Sequence, residues 1–230
     1  MRGEVLRADA LRERLAEVRG RVDAAAQVAG RRPDDVEIVV ATKYVPADRM
    51  GVLLEAGVRL VGENRAQDLL AKHELYGAAF TWDFIGHLQS RKTRLVLPVV
   101  RLIHSVSSLS VVQELQRRTQ NTVTVLLEVN VATEETKSGL VPGEVDAFLD
   151  EASRYDKVAF GGLMCMPPLT PAADEAAPYF ARTRELAQRL SAGWAGRYTF
   201  AELSMGTSGD YEVAVREGAT KVRVGGAVLF

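Results

Sequence analysis

The sequence predicts an α/β fold: a parallel (β/α)₈ barrel preceded by an N-terminal helix, in one domain spanning residues 1–230. Three observations predict it. Eight short apolar runs rich in β-branched residues alternate with segments whose apolar residues recur at helical spacing. The length of 230 residues lies near the ~250 usual for such barrels. No linker, low-complexity tract or internal repeat interrupts the alternation. An open doubly wound sheet is the second architecture compatible with the pattern.

From Glu4 to Ala29, Leu6, Leu11, Leu15, Val18, Val22 and Val28 recur at helical spacing, and Gly30 with Pro33 supplies the stop. The first strand runs from Val36 to Tyr44. Pro46 and Asp48 open a short helix to Ala56, and Gly57 ends it. The second strand spans Val58 to Asn64, with a helix from Arg65 to Tyr76. Thr81 to Leu88 forms the third strand. Ser90 can cap the next helix, which Pro98 helps end. Arg101 to Val106 and Thr122 to Val131 are the fourth and fifth strands, with a helix from Ser108 to Arg118 between them. After a polar loop, Ala132 to Val141, a helix covers Pro142 to Arg154. The sixth strand, Val158 to Met166, is closed by Pro167 and Pro168, and a longer helix covers Asp174 to Ala192. Thr199 to Ser204 is the seventh strand. Met205 to Ser208 turns into a helix ending at Glu217, and Lys221 to Val224 is the eighth strand.

Composition narrows the function. Lys plus Arg (29) and Asp plus Glu (30) nearly cancel, and neither sign forms a block, so nucleic acid and membrane surfaces are not expected partners. A small polar ligand is. Cys165 is the single cysteine, which excludes an intrachain disulfide and a CxxC zinc site; it reads as a small core residue. His73, His87 and His104 show no metal-ligand spacing. No apolar run reaches the length of a membrane span, and the charged start Met1 to Glu4 does not read as a signal peptide, so the expected location is cytoplasmic. A monomer is the expected state.

Polar residues fall at one kind of place. Lys43, Asn64, His87, Asn130, Ser204 and Gly225 all lie at or just beyond the predicted C-terminal ends of different strands, and in a closed barrel those ends share one mouth. Taken alone, Lys43 more simply reads as a lysine snorkelling out of a strand end; beside apolar walls it becomes an amine suited to carbonyl condensation. Ser204-Met205-Gly206-Thr207-Ser208 and Val224-Gly225-Gly226 offer hydroxyls and glycine-exposed N–H groups, the second beside a terminus read as free of helix. Either glycine segment singly is explained by a short turn. Arg223 interrupts the apolar eighth strand and faces either solvent or the mouth, where it would suit a pyridine nitrogen.

These segments resemble one family, the pyridoxal phosphate homeostasis proteins, which are single-domain barrels related to the N-terminal half of bacterial alanine racemase. The resemblance is carried by Ala41-Thr42-Lys43, Gly62-Glu63-Asn64, Phe84 to Gln89 with Lys92, Ile103-His104-Ser105-Val106, Val129-Asn130-Val131, Gly161 to Met164, Leu203 to Gly206 with Ser208 and Asp210, and Val222 to Gly225. It implies that Lys43 carries pyridoxal 5′-phosphate as an internal aldimine and that Asn64 lies near the phenolic oxygen. It further implies that Ser204, Gly206, Gly225 and Gly226 hold the phosphate, that Met205 flanks the ring, and that Arg223 addresses the pyridine nitrogen. His87 joins this cofactor-binding set. The sequence departs from the pattern in having Gly226 for a usual threonine, Thr207 for a methionine, Arg91 for an asparagine and Ser107 for an aspartate, and it stops at Phe230, slightly before the customary end.

The implied function is cofactor homeostasis (storage, buffering or delivery, with pyridoxal-dependent apoenzymes as recipients) and no committed reaction. Racemisation needs an acid or base on each face of the cofactor, and in alanine racemase the second is a tyrosine from a C-terminal β-domain for which these residues leave no room. Tyr44 follows Lys43 and is expected on the opposite side of the strand, and His87 is more simply a structural histidine. The alternatives are a pyridoxal-dependent racemase or transaminase-like enzyme, or a cofactor-free lysine aldolase. Lys137, in the polar loop, is a candidate for a secondary contact with the aldehyde.

Overall fold

The computed structural model describes residues 6–134, 138–170 and 172–230, so Lys137 lies outside the described residues. Eight strands close into one parallel barrel in sequence order: β1 (Glu37–Ala41), β2 (Leu60–Glu63), β3 (Thr81–Phe84), β4 (Leu102–Val106), β5 (Val123–Val129), β6 (Val158–Cys165), β7 (Glu202–Thr207) and β8 (Lys221–Val224). β8 returns to β1 in a register running from Glu37↔Lys221 to Val40↔Val224, which closes the ring. The helices are α1 (Ala8–Val28), α2 (Gly51–Glu55), α3 (Ala66–Tyr76), α4 (Thr93–Val96), α5 (Leu109–Arg118), α6 (Val145–Ala152), α7 (Ala177–Gly193), α8 (Tyr211–Arg216) and α9 (Gly226–Leu229). Among the described residues no helix is long and apolar enough to cross a membrane.

Sequence spacing decides which side each element buries. On α1, Leu11, Val18 and Val22 share one stripe and are buried. Arg31 then donates to the carbonyls of Val215 (3.0 Å) and Ala219 (2.8 Å), tying the chain after α1 to the end of α8. Side chains alternate along a strand, so each strand feeds two layers. Val36, Val40, Val61, Phe84, Ile103, Val125, Leu127, Leu163, Leu203 and Val222 join the apolar layer under the helices, whereas Leu102, Leu126 and Met164 form a separate cluster inside the barrel.

Several elements differ from the expected ones. β1 and β3 end at Ala41 and Phe84, earlier than their apolar runs, so Lys43 and His87 ride on loops. Phe200 adopts φ +48°, its ring packed edge-on against Tyr198 at 5.9 Å, and this kink delays β7 to Glu202. β7 then continues through the expected turn to Thr207, because Gly206, at φ +90°, bulges the strand without breaking it. Ser204 is therefore an interior strand residue. The terminus read as free of helix instead forms α9 directly after Gly225. Ser90 makes no capping bond; a 3₁₀ turn (Ser90–Lys92) leads into α4.

Glycine is required where β2 and β3 deliver their loops. A Cβ on Gly86 would lie 2.1 Å from the carbonyl oxygen of Asn64. Gly86→Ala is expected to destabilise the fold by about 1–3 kcal/mol, since backbone cannot give way as a side chain can. Gly20, within α1 with no atom within 4 Å of a built Cβ, is expected to gain roughly 0.5–1 kcal/mol as alanine. Urea unfolding of both variants checks the pair.

Candidate functional site

Counting by twos along the strands gives the barrel's interior residues: Val39 and Ala41 on β1, Gly62 on β2, Asp83 on β3, His104 on β4, Glu128 on β5, Ser204 on β7, and Lys221 and Arg223 on β8. Just beyond the C-terminal strand ends lie Lys43, Asn64, His87, Asn130 and Gly225, around one rim. The β1 and β8 ends are neighbours there, since a Cβ built on Gly225 would lie 3.2 Å from the carbonyl oxygen of Ala41.

Lys43 is exposed on the turn after β1, not enclosed by apolar walls, and its Nζ lies 4.9 Å from the centre of the Tyr44 ring. The expectation that Tyr44 would point away is corrected: strand alternation has ended at Ala41, and the turn brings both residues together. What holds this turn was not anticipated. Lys72, on α3, is buried outside the barrel, donates to the carbonyl of Thr42 at 2.8 Å and pairs with Glu63. The Thr42 hydroxyl donates to the same Glu63 oxygen at 2.5 Å. One buried ion pair thus grips the residue before Lys43 and the residue before Asn64. Asn64 presents a buried amide oxygen, Oδ1, with no hydrogen-bond partner.

Inside the barrel runs a second buried network. At the base, Arg101 holds Glu37 (2.8 Å) and Asp83 (2.7 and 3.0 Å), and Lys221 holds Glu37 (2.8 Å) and Glu202 (2.5 Å). Burial pushes the Glu37 carboxyl up, but the bonds to Arg101 and Lys221 win and bring it down to about 2. Above them, His104 bridges Asp83 (Nε2, 3.1 Å) and Ser204 (Nδ1, 2.8 Å). Arg223, 5% exposed, donates to the Ser204 hydroxyl and carbonyl (both 2.6 Å), the Cys165 carbonyl (2.9 Å) and the Met166 sulfur (2.8 Å). So Arg223 faces inward, and its side chain reaches the upper interior.

The loops after β7 and β8 meet at Ser208. Its hydroxyl oxygen accepts the N–H groups of Gly225 and Ala227, each at 3.1 Å, which leaves its own proton free. Asp210 accepts the N–H of Thr207 at 2.6 Å and orders the turn. The N–H of Gly226 is used by no hydrogen bond among the described residues, and a Cβ there would meet only the Ser208 oxygen, at 3.8 Å.

Two expected cofactor contacts are placed elsewhere. Met205 is fully buried in the apolar layer under the helices, since alternation on β7 turns it away from Ser204, and it cannot flank a ring in the mouth. The Ser204 hydroxyl is enclosed between His104 and Arg223, a layer below the glycine loops, so its expected place as a phosphate contact is not where the structure puts it. Gly206 supplies the bulge in β7, packed against Tyr211 and Ala214.

His87 is exposed on the rim; deeper in, burial pushes the Glu128 carboxyl up, against the hydrogen bond from Ser138 and the nearby Arg223. Glu128 accepts from Ser138 at 2.7 Å, while its second oxygen is unpartnered. Asn130 is taken up locally, its amide donating to the Glu134 carbonyl at 2.8 Å. The Cys165 thiol is pushed up to about 11 by burial, consistent with a core residue. A cavity of about 950 Å³ opens at the opposite end of the barrel, lined by Arg94, Arg101, Thr124, Glu202 and Lys221 among others. It lies at the N-terminal ends of the strands, and its Arg101 and Lys221 are already paired with carboxylates. The mouth, with an exposed amine and uncommitted donors, is the better candidate.

Comparison with known proteins adds independent findings. Residues 8–230 match the family model described as alanine racemase, N-terminal domain. The chain is 37% identical over 217 residues to the pyridoxal phosphate homeostasis protein of Aquifex aeolicus, covering 93% of this chain and 94% of that one. It is 38% identical over 223 residues to the protein of the same name from Pseudomonas aeruginosa, covering 94% of each. Among solved structures, PipY of Synechococcus elongatus with PLP bound superposes with a TM-score of 0.82 at 32% identity, covering 96% of this chain and 100% of that one. The lysine/ornithine decarboxylase of Vibrio vulnificus, at 12% identity and a TM-score of 0.70, shares the fold over 97% of this chain and 62% of its own.

Two outcomes are expected from the buried networks. Lys72→Met strands the Glu63 carboxylate and is expected to cost about 3–5 kcal/mol in urea unfolding, most of it recovered when Glu63→Leu is added. For His104, burial holds the pKa below the ordinary 6.5, against the pull of Asp83 and with the help of Arg223 and Lys221. Below pH 6.5 the unfolded chain therefore takes up a proton that the folded one refuses, so stability falls as the pH drops through that value. His104→Asn is expected to remove this part of the slope, read from unfolding at about pH 7.5 and about pH 5.5.

Proposed function

We propose, for a chain that belongs to the pyridoxal phosphate homeostasis proteins of the alanine racemase N-terminal domain family, that it holds pyridoxal 5′-phosphate across the barrel mouth on Lys43 and serves to store, buffer or deliver it. The observation that carries this reading is the pairing, on one rim, of an exposed lysine after β1 with an uncommitted N–H and hydroxyl proton at the β7 and β8 loops.

The residues present fit that group. Ser208 and the N–H of Gly226 can donate to a phosphate. Asn64 brings a buried amide that lacks a partner; either end of it serves, because rotation exchanges oxygen and nitrogen, and the nitrogen can donate to a phenolic oxygen. Arg223 stands deeper, where a pyridine ring would end. Bound there, the cofactor supplies an aldehyde for condensation with a primary amine and a ring able to withdraw electrons.

The protein's own residues then have separate tasks. Lys43 would supply the amine that condenses with the aldehyde, and the Thr42, Glu63 and Lys72 contacts hold its turn. Arg223 brings a permanent cation to the ring nitrogen and so opposes its protonation, which weakens electron withdrawal. A site built this way favours retention of the aldehyde over bond breaking at an amino acid. Release to an apoenzyme is served by a lysine that stands on an exposed turn.

Lys43→Ala is expected to abolish the visible absorbance of the loaded protein and the mass that borohydride fixes to it. Retained absorbance and label would remove Lys43 from the role. Gly226→Thr is expected to tighten retention by adding a hydroxyl where there is space for a side chain, measured as a slower release of aldehyde to a scavenger.

A further inference from the structure

We infer that His104, backed by Asp83, is a positioning residue for Arg223: acting through Ser204, it sets the guanidinium so that Nε–H is the donor left for a ligand. The inference rests on the reading that the pyridine end of the ligand meets Arg223.

A count of donors and acceptors carries it. Asp83 is gripped by Nε and NH2 of Arg101, so it is an acceptor only, and the proton between it and His104 belongs to Nε2. In the neutral ring Nδ1 is then an acceptor, and the Ser204 hydroxyl, 2.8 Å away, donates to it. A hydroxyl has one proton, so with that proton turned to His104 its lone pairs face Arg223, whose NH1 lies 2.6 Å away. The rest of the fork is engaged by the Ser204 carbonyl, the Cys165 carbonyl and the Met166 sulfur. Of five N–H donors, four are in use among the described residues and Nε–H remains. Asp83, His104 and Ser204 are fully or almost fully buried, so water is not at hand to replace a lost bond.

An apolar residue at position 104 would fill the space but leave the Ser204 proton undirected and Asp83 without one donor. Asparagine can both donate to Asp83 and accept from Ser204. With pyridoxal 5′-phosphate as the ligand, His104→Leu is expected to weaken retention roughly tenfold, the order of one charge-assisted hydrogen bond, and to shift the visible absorption maximum while borohydride still labels Lys43. His104→Asn is expected to restore both. Equal behaviour of the two variants, or a His104→Leu spectrum identical to wild type, would make His104 a space filler and overturn the inference. If His104→Leu does not fold, nitrogen-resolved NMR of the wild-type protein without ligand decides the point. A neutral ring protonated on Nε2 at about pH 7.5 supports the relay, and a doubly protonated or Nδ1-protonated ring at that pH overturns it. Absence of ligand-dependent absorbance in wild type would instead sink the parent reading, and this one with it.

Discussion

A guanidinium stripped of water lies at the centre of this barrel, and much of the interior is arranged around it. Arg223 is 5% exposed and makes none of its hydrogen bonds to a carboxylate; its partners are a hydroxyl, two carbonyls and a sulfur. Removing such a cation from water costs several kcal/mol, and neutral dipoles offset only part of that. Negative charge stands further off, at Glu128, at Asp210 and, beyond His104, at Asp83. An anionic molecule entering the mouth therefore meets a cation that is already in place and incompletely matched.

The two buried networks divide the labour by side of the sheet. Outside the barrel, Glu63 and Lys72 define where the lysine turn and the asparagine begin. Inside it, Asp83, His104 and Ser204 define where the arginine ends. Each network ties neighbouring elements together, so the two functional ends of the mouth are set by rigid parts of the fold even though the loops that carry them are short and exposed.

The eight strands were legible because their β-branched runs alternate with helical spacing without exception, and β8 appears with the expected bounds, Lys221–Val224. The strand that misled was β7. Met205-Gly206-Thr207-Ser208 carries the composition of a turn, and nothing local reveals that Gly206 accommodates a bulge and lets pairing run on to Thr207. That shift of three residues is why Ser204 was expected in the rim and lies in the interior; Met205 was expected against a ring from the family resemblance, and the alternation of β7 turns it under the helices. The rim residues Lys43 and Asn64 were legible from position alone. Lys72 had a visible signal, since it continues the inward stripe of Ala66 and Leu69 on α3, where a charge demands a partner. Asp83 was visible too, as a polar residue between Trp82 and Phe84 on β3, and so was the polar pair His104-Ser105 within the apolar run of β4. Which polar group each would meet depends on the closure of the sheet, and no local pattern encodes that.

The ring of strands has a seam where its last member, β8, meets its first, β1. A guest anchored to the turn after Ala41 at one end and to the backbone around Gly225 at the other lies across that seam as a clasp. The N-terminal and C-terminal parts of the chain would then be joined through the guest as well as through their shared ladder of hydrogen bonds. Filling the mouth would harden the one junction of the barrel that cannot form until β8 has been made.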